Sequence, residues 1–379
     1  MDSRIYWVAL NLVNGIGAVR FRALVDQFGD PRAVWEAPAA ALQTTGLPPK
    51  VVEELLEVRR SVDLASLWAQ TQSNEITLLT WEDAAYPHRL KQIDNPPPVL
   101  YLRGGITTAD DWAVAVVGTR KVTPYGQQVA EMVAGFLARN GVTVVSGLAA
   151  GVDSIAHRTA LDAGGRTIAV LGTGVDRIYP AQNKGLAADI TGRGALVSDF
   201  ALGTPPDRGN FPARNRIISG LSLATVVIEA GQRSGALITA RFAAEQGREV
   251  FAVPGKIFAP QSKGANELIR KGAHPLLAPE DLLEALNLTL VTEQQNARVV
   301  LPADATEAAI FTVLNYEPMH IDEIGQQAKL PIDQVSAALA LMELKGMVRQ
   351  MGPMQYVAAR EAQAVYQSSG AAESSDEQK

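Results

Sequence analysis

The chain has no cysteine, which excludes disulfides, thiolate metal sites and a cysteine nucleophile. Histidine is nearly as scarce. Four residues, at 88, 157, 274 and 320, are too scattered to suggest a histidine metal cluster, so neither a metal nor another cofactor is expected. No run approaches 18 uninterrupted apolar residues, and the start MDSRIYWVAL lacks the basic region, long apolar stretch and small-residue cleavage site of a signal peptide. The expectation is a cytoplasmic protein with no membrane partner.

What is present is enough for large cores: 379 residues, 47% of them hydrophobic, exceed one ordinary domain. The net charge of −6 argues against a nucleic-acid partner until it is divided by region. Residues 113–275 hold 18 Lys+Arg against 11 Asp+Glu, a net of +7, while the remainder holds 16 against 29, a net of −13. Because charges are screened over roughly 8 Å at physiological salt, the local balance decides the partner, and the middle of the chain is a basic island.

Residues 1–70 read as short helices, with Gly15, Ile16 and Gly17 making a tight turn between two apolar-periodic stretches. This suggests a SAM-like or helix-hairpin-helix-like domain, whose glycine turn either meets a phosphate or is a plain helical turn. Seven basic against eight acidic residues in this segment supply no electrostatic pull. Two strand-like runs follow over 76–105 around Pro96, Pro97 and Pro98, and residues 99–103 are expected to begin an added edge of the next sheet.

From 113 onward, apolar runs alternate with helix-length segments, the pattern of a parallel sheet buried on both faces. Strands are expected at 113–117, 142–146, 167–171, 195–199, 224–229 and 249–253. The fold class is therefore α/β, a Rossmann-like doubly wound, mostly parallel sheet over 71–286. Ligands of such sheets sit beyond the carboxyl ends of the strands, where each glycine turn of this segment falls. A polar linker (287–303) leads to residues 304–358, expected as helices at 305–315, 320–328 and 332–345 and then a hairpin, the order of a winged helix. Four basic against seven acidic residues over 301–360, and a third helix with no arginine for base edges, favour contact with protein over DNA there. The polar tail, 359–379, is expected to be disordered.

Several turns of the basic island carry candidate phosphate ligands. Gly118, Thr119, Arg120 and Lys121 follow the first strand, and Thr123 with Pro124 supply an N-cap and an N1 proline, so amides, helix dipole and guanidinium converge on an anion seat. The spacing is not G-x-G-x-x-G, and the second strand ends in Ser146 and Gly147 rather than a ribose-binding acid, which disfavours NAD. Ser146, Gly147 and Gly151 form a second turn. Asp153 and His157, one helical turn apart, are either a proton-transfer pair or a helix acid beside a hydrogen-bonded neighbour; no nucleophile accompanies them, so no catalytic residue and no enzyme is expected. Phe211, Arg214, Asn215 and Arg216 suit a groove for stacked bases and phosphates, and Lys184, Arg233, Ser234, Gly235 and Lys256 also fall at strand ends. Together they read as an electrostatic track for a single strand held without strict sequence readout.

The run of motifs YPHRLKQIDNPPPVLYLRG, VVGTR, SGLAAGVDSIAH, VLGTGVDRIYP, FPARNRIISGLS, EAGQRSGALITA and GREVFAVPG resembles the DprA family of DNA-processing proteins, also called Smf, nearly end to end. The resemblance implies a cytoplasmic homodimer that binds and protects incoming single-stranded DNA. It also implies loading of RecA past single-strand binding protein in natural transformation, with no enzymatic role, and a part in repair that this sequence leaves open. By motif it assigns DNA contact to Arg120, to the region of Lys184 and to the segment from Arg214 to Arg216. Two positions depart from the pattern: Ala265 replaces a cysteine or threonine, and Asp199 a glutamate. The alternatives are a phosphoribohydrolase-like nucleotide enzyme, whose second glycine pair and helix-borne glutamate IEAGQRSGALITA lacks, and a nucleotide sensor.

Overall fold

Strands form where β-branched residues follow one another without charge, because such segments can be buried on both faces of a parallel sheet. The computed structural model describes residues 2–73, 76–286, 305–314, 318–344, 347–352 and 354–358. The expected linker at 287–303 and tail at 359–379 lie outside them. The chain divides into two units, Met1–Leu286 and Asn287–Lys379.

The first unit opens with six helices, α1 (Arg4–Asn11), α2 (Ala18–Phe28), α3 (Pro31–Glu36), α4 (Ala39–Gln43), α5 (Pro49–Ser61) and α6 (Leu64–Ser73). Then come β1 (Thr77–Thr80), α7 (His88–Lys91), β2 (Val99–Gly104), β3 (Ala113–Val117), α8 (Pro124–Arg139), β4 (Thr143–Ser146), α9 (Val152–Asp162) and β5 (Thr167–Val170). The unit continues through α10 (Lys184–Arg193), β6 (Ala195–Ser198), α11 (Asn210–Gly220), β7 (Ala224–Val227), α12 (Ala236–Glu245), β8 (Glu249–Ala252), α13 (Lys263–Arg270), β9 (His274–Pro275) and α14 (Glu280–Ala285).

All six expected strands are present, and β3 to β7 are buried along their whole length. The nine-stranded sheet has the order β1-β2-β6-β5-β4-β3-β7-β8-β9. Only the β1/β2 and β2/β6 pairs are antiparallel, so residues 99–104 extend the parallel sheet as anticipated. Chain progression runs one way from β3 to β6 and the other way from β7 to β9. Right-handed crossovers therefore set α8, α9 and α10, packed side by side, on one face, and the α12 crossover on the other, where α11 packs beside it.

The N-terminal helices do not form a body of their own, which corrects the boundary expected at 70. They share one buried core with the sheet. Trp7 of α1 stacks on Phe21 of α2 at 4.9 Å, and both meet Trp81, just beyond β1, edge-on at 5.8 and 5.5 Å. Large aromatic rings bury more area than any other contact available to such short helices. At the glycine turn, Gly15 has φ +94°, and Arg20 donates to its carbonyl at 2.7 Å.

The second unit contains α15 (Ala305–Val313), β10 (Met319–His320), α16 (Ile321–Ala328), α17 (Ile332–Leu344), β11 (Val348–Gly352) and β12 (Gln355–Ala358). Its three strands pair in the order β10-β12-β11 around Ile310, Phe311, Ile324, Leu339 and Met342. This is the winged-helix order read from the sequence. Among the described residues, no helix is long and apolar enough to cross a membrane.

Candidate nucleic-acid interface

Strand β3 is the switch point of the sheet, with β4 on one side and β7 on the other. Their crossovers diverge, and a crevice opens beyond the carboxyl ends of these strands. A cavity of about 820 Å³ occupies it. Its walls come from the turn after β3 (Gly118, Thr119, Arg120), the first turns of α11 (Phe211, Arg214, Asn215) and the segment entering α12 (Arg233, Ser234, Gly235). Nine of the sixteen residues expected at the site thus line one cavity.

Phe211, Arg214 and Asn215 share a helix face because they stand at i, i+3 and i+4. The Phe211 ring is the centre of the cluster. The Arg120 guanidinium lies 5.6 Å from its centroid, that of Arg214 6.0 Å, and the Tyr179 ring, 46% exposed, 5.7 Å away. Two cations over one ring are attracted by its quadrupole and repel each other, so an anion between them is favoured. Arg208 and Tyr179, which sequence reasoning missed, complete the exposed wall.

Arg120 and Arg214 differ in exposure and therefore in role. Arg120 is exposed. Arg214 is 4% exposed and donates to Gly147 O at 2.8 Å and to Val170 O, tying together the ends of β4 and β5. Burial lowers its pKa to about 10, with Asp153 opposing the shift and Arg120 adding to it. Asp153, 8% exposed and also lining the cavity, has its carboxyl pushed upward by burial, while Arg214 pulls it back. The bonds of Arg214 to the Gly147 and Val170 carbonyls fix the cavity floor.

The anion seat expected at the start of α8 is already filled. Thr123 caps the helix as anticipated, accepting from Gly126 N at 3.1 Å. The carboxylate of Glu229, 4% exposed, accepts from Thr123 N at 3.0 Å and Thr123 Oγ1 at 2.6 Å, and its carbonyl accepts from Thr119 N at 2.8 Å. An internal anion thus neutralises the helix end and holds the Arg120 turn against β7. Replacing Glu229 by Gln puts an amide N–H where one of those donors points. A loss of about 1–3 kcal/mol is expected by urea unfolding, with weaker ligand binding at the loosened turn.

The other expected residues do not line the cavity. Ser146 is buried and donates to Val116 O at 2.7 Å. Gly147 lets the Arg214 guanidinium lie on the backbone, since a Cβ there would stand 2.6 Å from Nη2. Gly151 has φ +85°, and a Cβ would collide with Thr119 O. Lys121, Lys184 and Lys256 are exposed at the turn after β3, the start of α10 and the turn after β8. Arg216 points elsewhere, to Asp199 at 2.8 Å and Asn95 O at 3.1 Å.

His157 bonds Thr167 Oγ1 through Nδ1 at 2.6 Å, which is the structural reading of the Asp153 and His157 pair. Burial holds its pKa at about 3. The unfolded chain binds a proton near pH 6.5 that the folded one refuses, so this contribution to stability is complete above about 6.5 and is lost as pH falls toward 3. His157→Gln is expected to flatten that acid limb of urea midpoint against pH; an unchanged limb would assign it to other groups.

Residues 77–287 match the family model described as DNA recombination-mediator protein A, and residues 294–352 match the DprA winged helix domain. The chain belongs to the DNA recombination-mediator protein A family. The matched segment contains every residue that lines the cavity. The Smf protein of Synechocystis is 35% identical over 388 aligned positions, covering 93% of this chain and 98% of that one. DprA of Bacillus subtilis is 44% identical over 202 positions, covering 53% and 68%. Among solved structures, DprA of Streptococcus pneumoniae superposes with a TM-score of 0.66 at 33% identity, over 74% of this chain and 97% of that one. DprA of Helicobacter pylori, studied for its single-stranded DNA binding mode, gives 0.51 at 33% identity, over 58% and 97%. The family assignment is thus carried by sequence and fold together, and the cavity is the family domain's own.

Proposed function

We propose that the chain binds single-stranded DNA in this cavity with little sequence preference and acts as a recombination mediator. In this reading it works in the cytoplasm as a homodimer, protects incoming single strands, and loads RecA onto them in the presence of single-strand binding protein during natural transformation and repair. It carries out no reaction itself. The observation that carries the reading is the Phe211 ring flanked by Arg120 and Arg214 at the switch point. A base stacked on Phe211 or Tyr179 is held by a π-face that every base has, and the exposed Arg120, Arg208 and Arg233 can take the phosphates on either side. A base in a duplex is already stacked and turned inward, which favours the single strand.

Anisotropy of labelled oligothymidine at several salt concentrations tests this. Log affinity is expected to fall with log salt by about 0.7 for each phosphate neutralised, and duplex of equal length to compete poorly. A flat salt response, with thymidine monophosphate displacing the oligomer at equal concentration, would instead support a nucleotide-binding reading.

A further inference from the structure

The turn after β8 lies on the same rim of the sheet as the switch-point cavity. Strand β8 is two places from β3, with β7 between them, so this turn starts roughly 10 Å from the Arg120 turn. It rests against the cavity wall. Gly264 N donates to Ala230 O at 2.8 Å, and a Cβ on Gly231, which lines the cavity, would stand 3.4 Å from Pro260 O. From the start of α8, the Tyr125 hydroxyl donates to Pro254 O at 3.0 Å.

The turn is braced, yet it carries apolar residues at its tip. Asn266 closes the base, accepting from Gly255 N and donating to Gly255 O, each at 3.0 Å. Ala259 N donates to Lys256 O, and Ser262 N to Ala259 O, both at 3.0 Å, so Ile257 and Phe258 are the central pair of a β-turn. Such positions ordinarily hold Gly, Pro, Asn, Asp or Ser. Here they hold Ile257, 72% exposed, and Phe258, 89% exposed, the most exposed large apolar side chain among the described residues. Apolar side chains kept in water forfeit the gain of burial, and an adjacent pair on a braced tip differs from the scattered single exposures of an ordinary surface.

Charge around the tip selects the ligand. Residues 230–235 and 254–266 hold Arg233, Lys256 and Lys263, all exposed, and no acidic residue. The core of a protein interface is depleted of lysine, whereas an aromatic face among cations suits bases and phosphates. We propose that Phe258 is a second stacking platform for single-stranded DNA. It takes a base of the strand after the strand leaves the cavity past Arg233, and Lys256 and Lys263 meet the adjoining phosphates. The inference rests on the reading that a single strand occupies the switch-point cavity, and it extends that track along the rim toward β8.

Affinities of the full chain for an oligothymidine of about 16 nucleotides and for thymidine dinucleotide, whose adjacent bases cannot reach both platforms, test the proposal. Phe258→Ala is expected to weaken the long oligomer about fivefold or more and to leave the dinucleotide within about twofold. Phe258→Tyr should hold the long oligomer within about twofold of the wild type, while Phe258→Leu should lose as much as the alanine variant, because stacking needs a ring. Lys256→Ala should reduce the salt slope by about 0.7. Phe258 is exposed, so these substitutions remove no core contact. The proposal is overturned if Phe258→Ala weakens both ligands alike, if leucine restores binding, or if Phe258→Ala separates copies of the chain in sedimentation, which would assign the turn to a contact between copies. If the wild type binds neither ligand, the cavity reading fails and this one with it. Unchanged affinity in Phe258→Ala beside a loss in Arg120→Ala overturns the second platform alone.

Discussion

Arg214→Ala is expected to lower the unfolding free energy by about 2–5 kcal/mol, since each buried acceptor left without its donor costs about 1–3 kcal/mol. The effect is large because the side chain joins separate parts of the fold. Its guanidinium bonds the carbonyls of Gly147 and Val170, beyond β4 and at the end of β5, and is the cation that offsets buried Asp153. Without it, two buried carbonyls lose their donor and a carboxylate is left in a low-dielectric site. Arg214→Lys keeps the charge but cannot reproduce the forked donors, so an intermediate loss is expected. Urea unfolding followed by tryptophan fluorescence checks this through a lowered midpoint at unchanged slope. A loss below about 1 kcal/mol for the alanine variant would show that Arg214 is not a structural member of the floor.

The second large effect separates two kinds of contact. Phe211→Ala is expected to weaken oligothymidine binding roughly 5- to 150-fold, the span of a lost base–aromatic stack, without changing the salt slope. Arg120→Ala is expected to weaken it about tenfold or more and also to reduce the slope by about 0.7, because one phosphate is no longer neutralised. Since Arg120 lies over the Phe211 ring, the double variant should lose less than the sum of the two. Equal changes of slope in both single variants would contradict this division of roles.

The sheet is legible in the sequence because its strands are buried on both faces, which forces uninterrupted apolar runs such as AVAVV at β3 and ATVV at β7. The cap at Thr123 and Pro124 is legible for a local reason, since caps depend on residues a few positions apart. The site is less so. Arg214 and Arg216 group together by closeness in sequence, yet two residues on a helix are turned by about 200°, and only the first faces the cavity with Phe211. Knowing that a helix begins at Asn210 is what separates them. Glu229 leaves one signal, an acid directly after the buried run of β7, but its partner Thr123 is 106 positions away in sequence. Arg208 and Tyr179 reach the cavity from the loops that precede α11 and α10, so no helical or strand periodicity marks them in the sequence. The boundary expected at residue 70 fails because the aromatic seam of Trp7, Phe21 and Trp81 is a tertiary contact that composition does not reveal.

Crosslinking of oligothymidine carrying 5-iodouracil, followed by peptide mapping, tests most directly whether a single strand is held at the switch point of the sheet. Adducts are expected on Phe211 or Tyr179, and at subsaturating oligomer both should fall about tenfold in Arg120→Ala. Adducts confined to the winged-helix unit or to α1 through α6, with the cavity peptides unmodified, would contradict the assignment of DNA to this cavity.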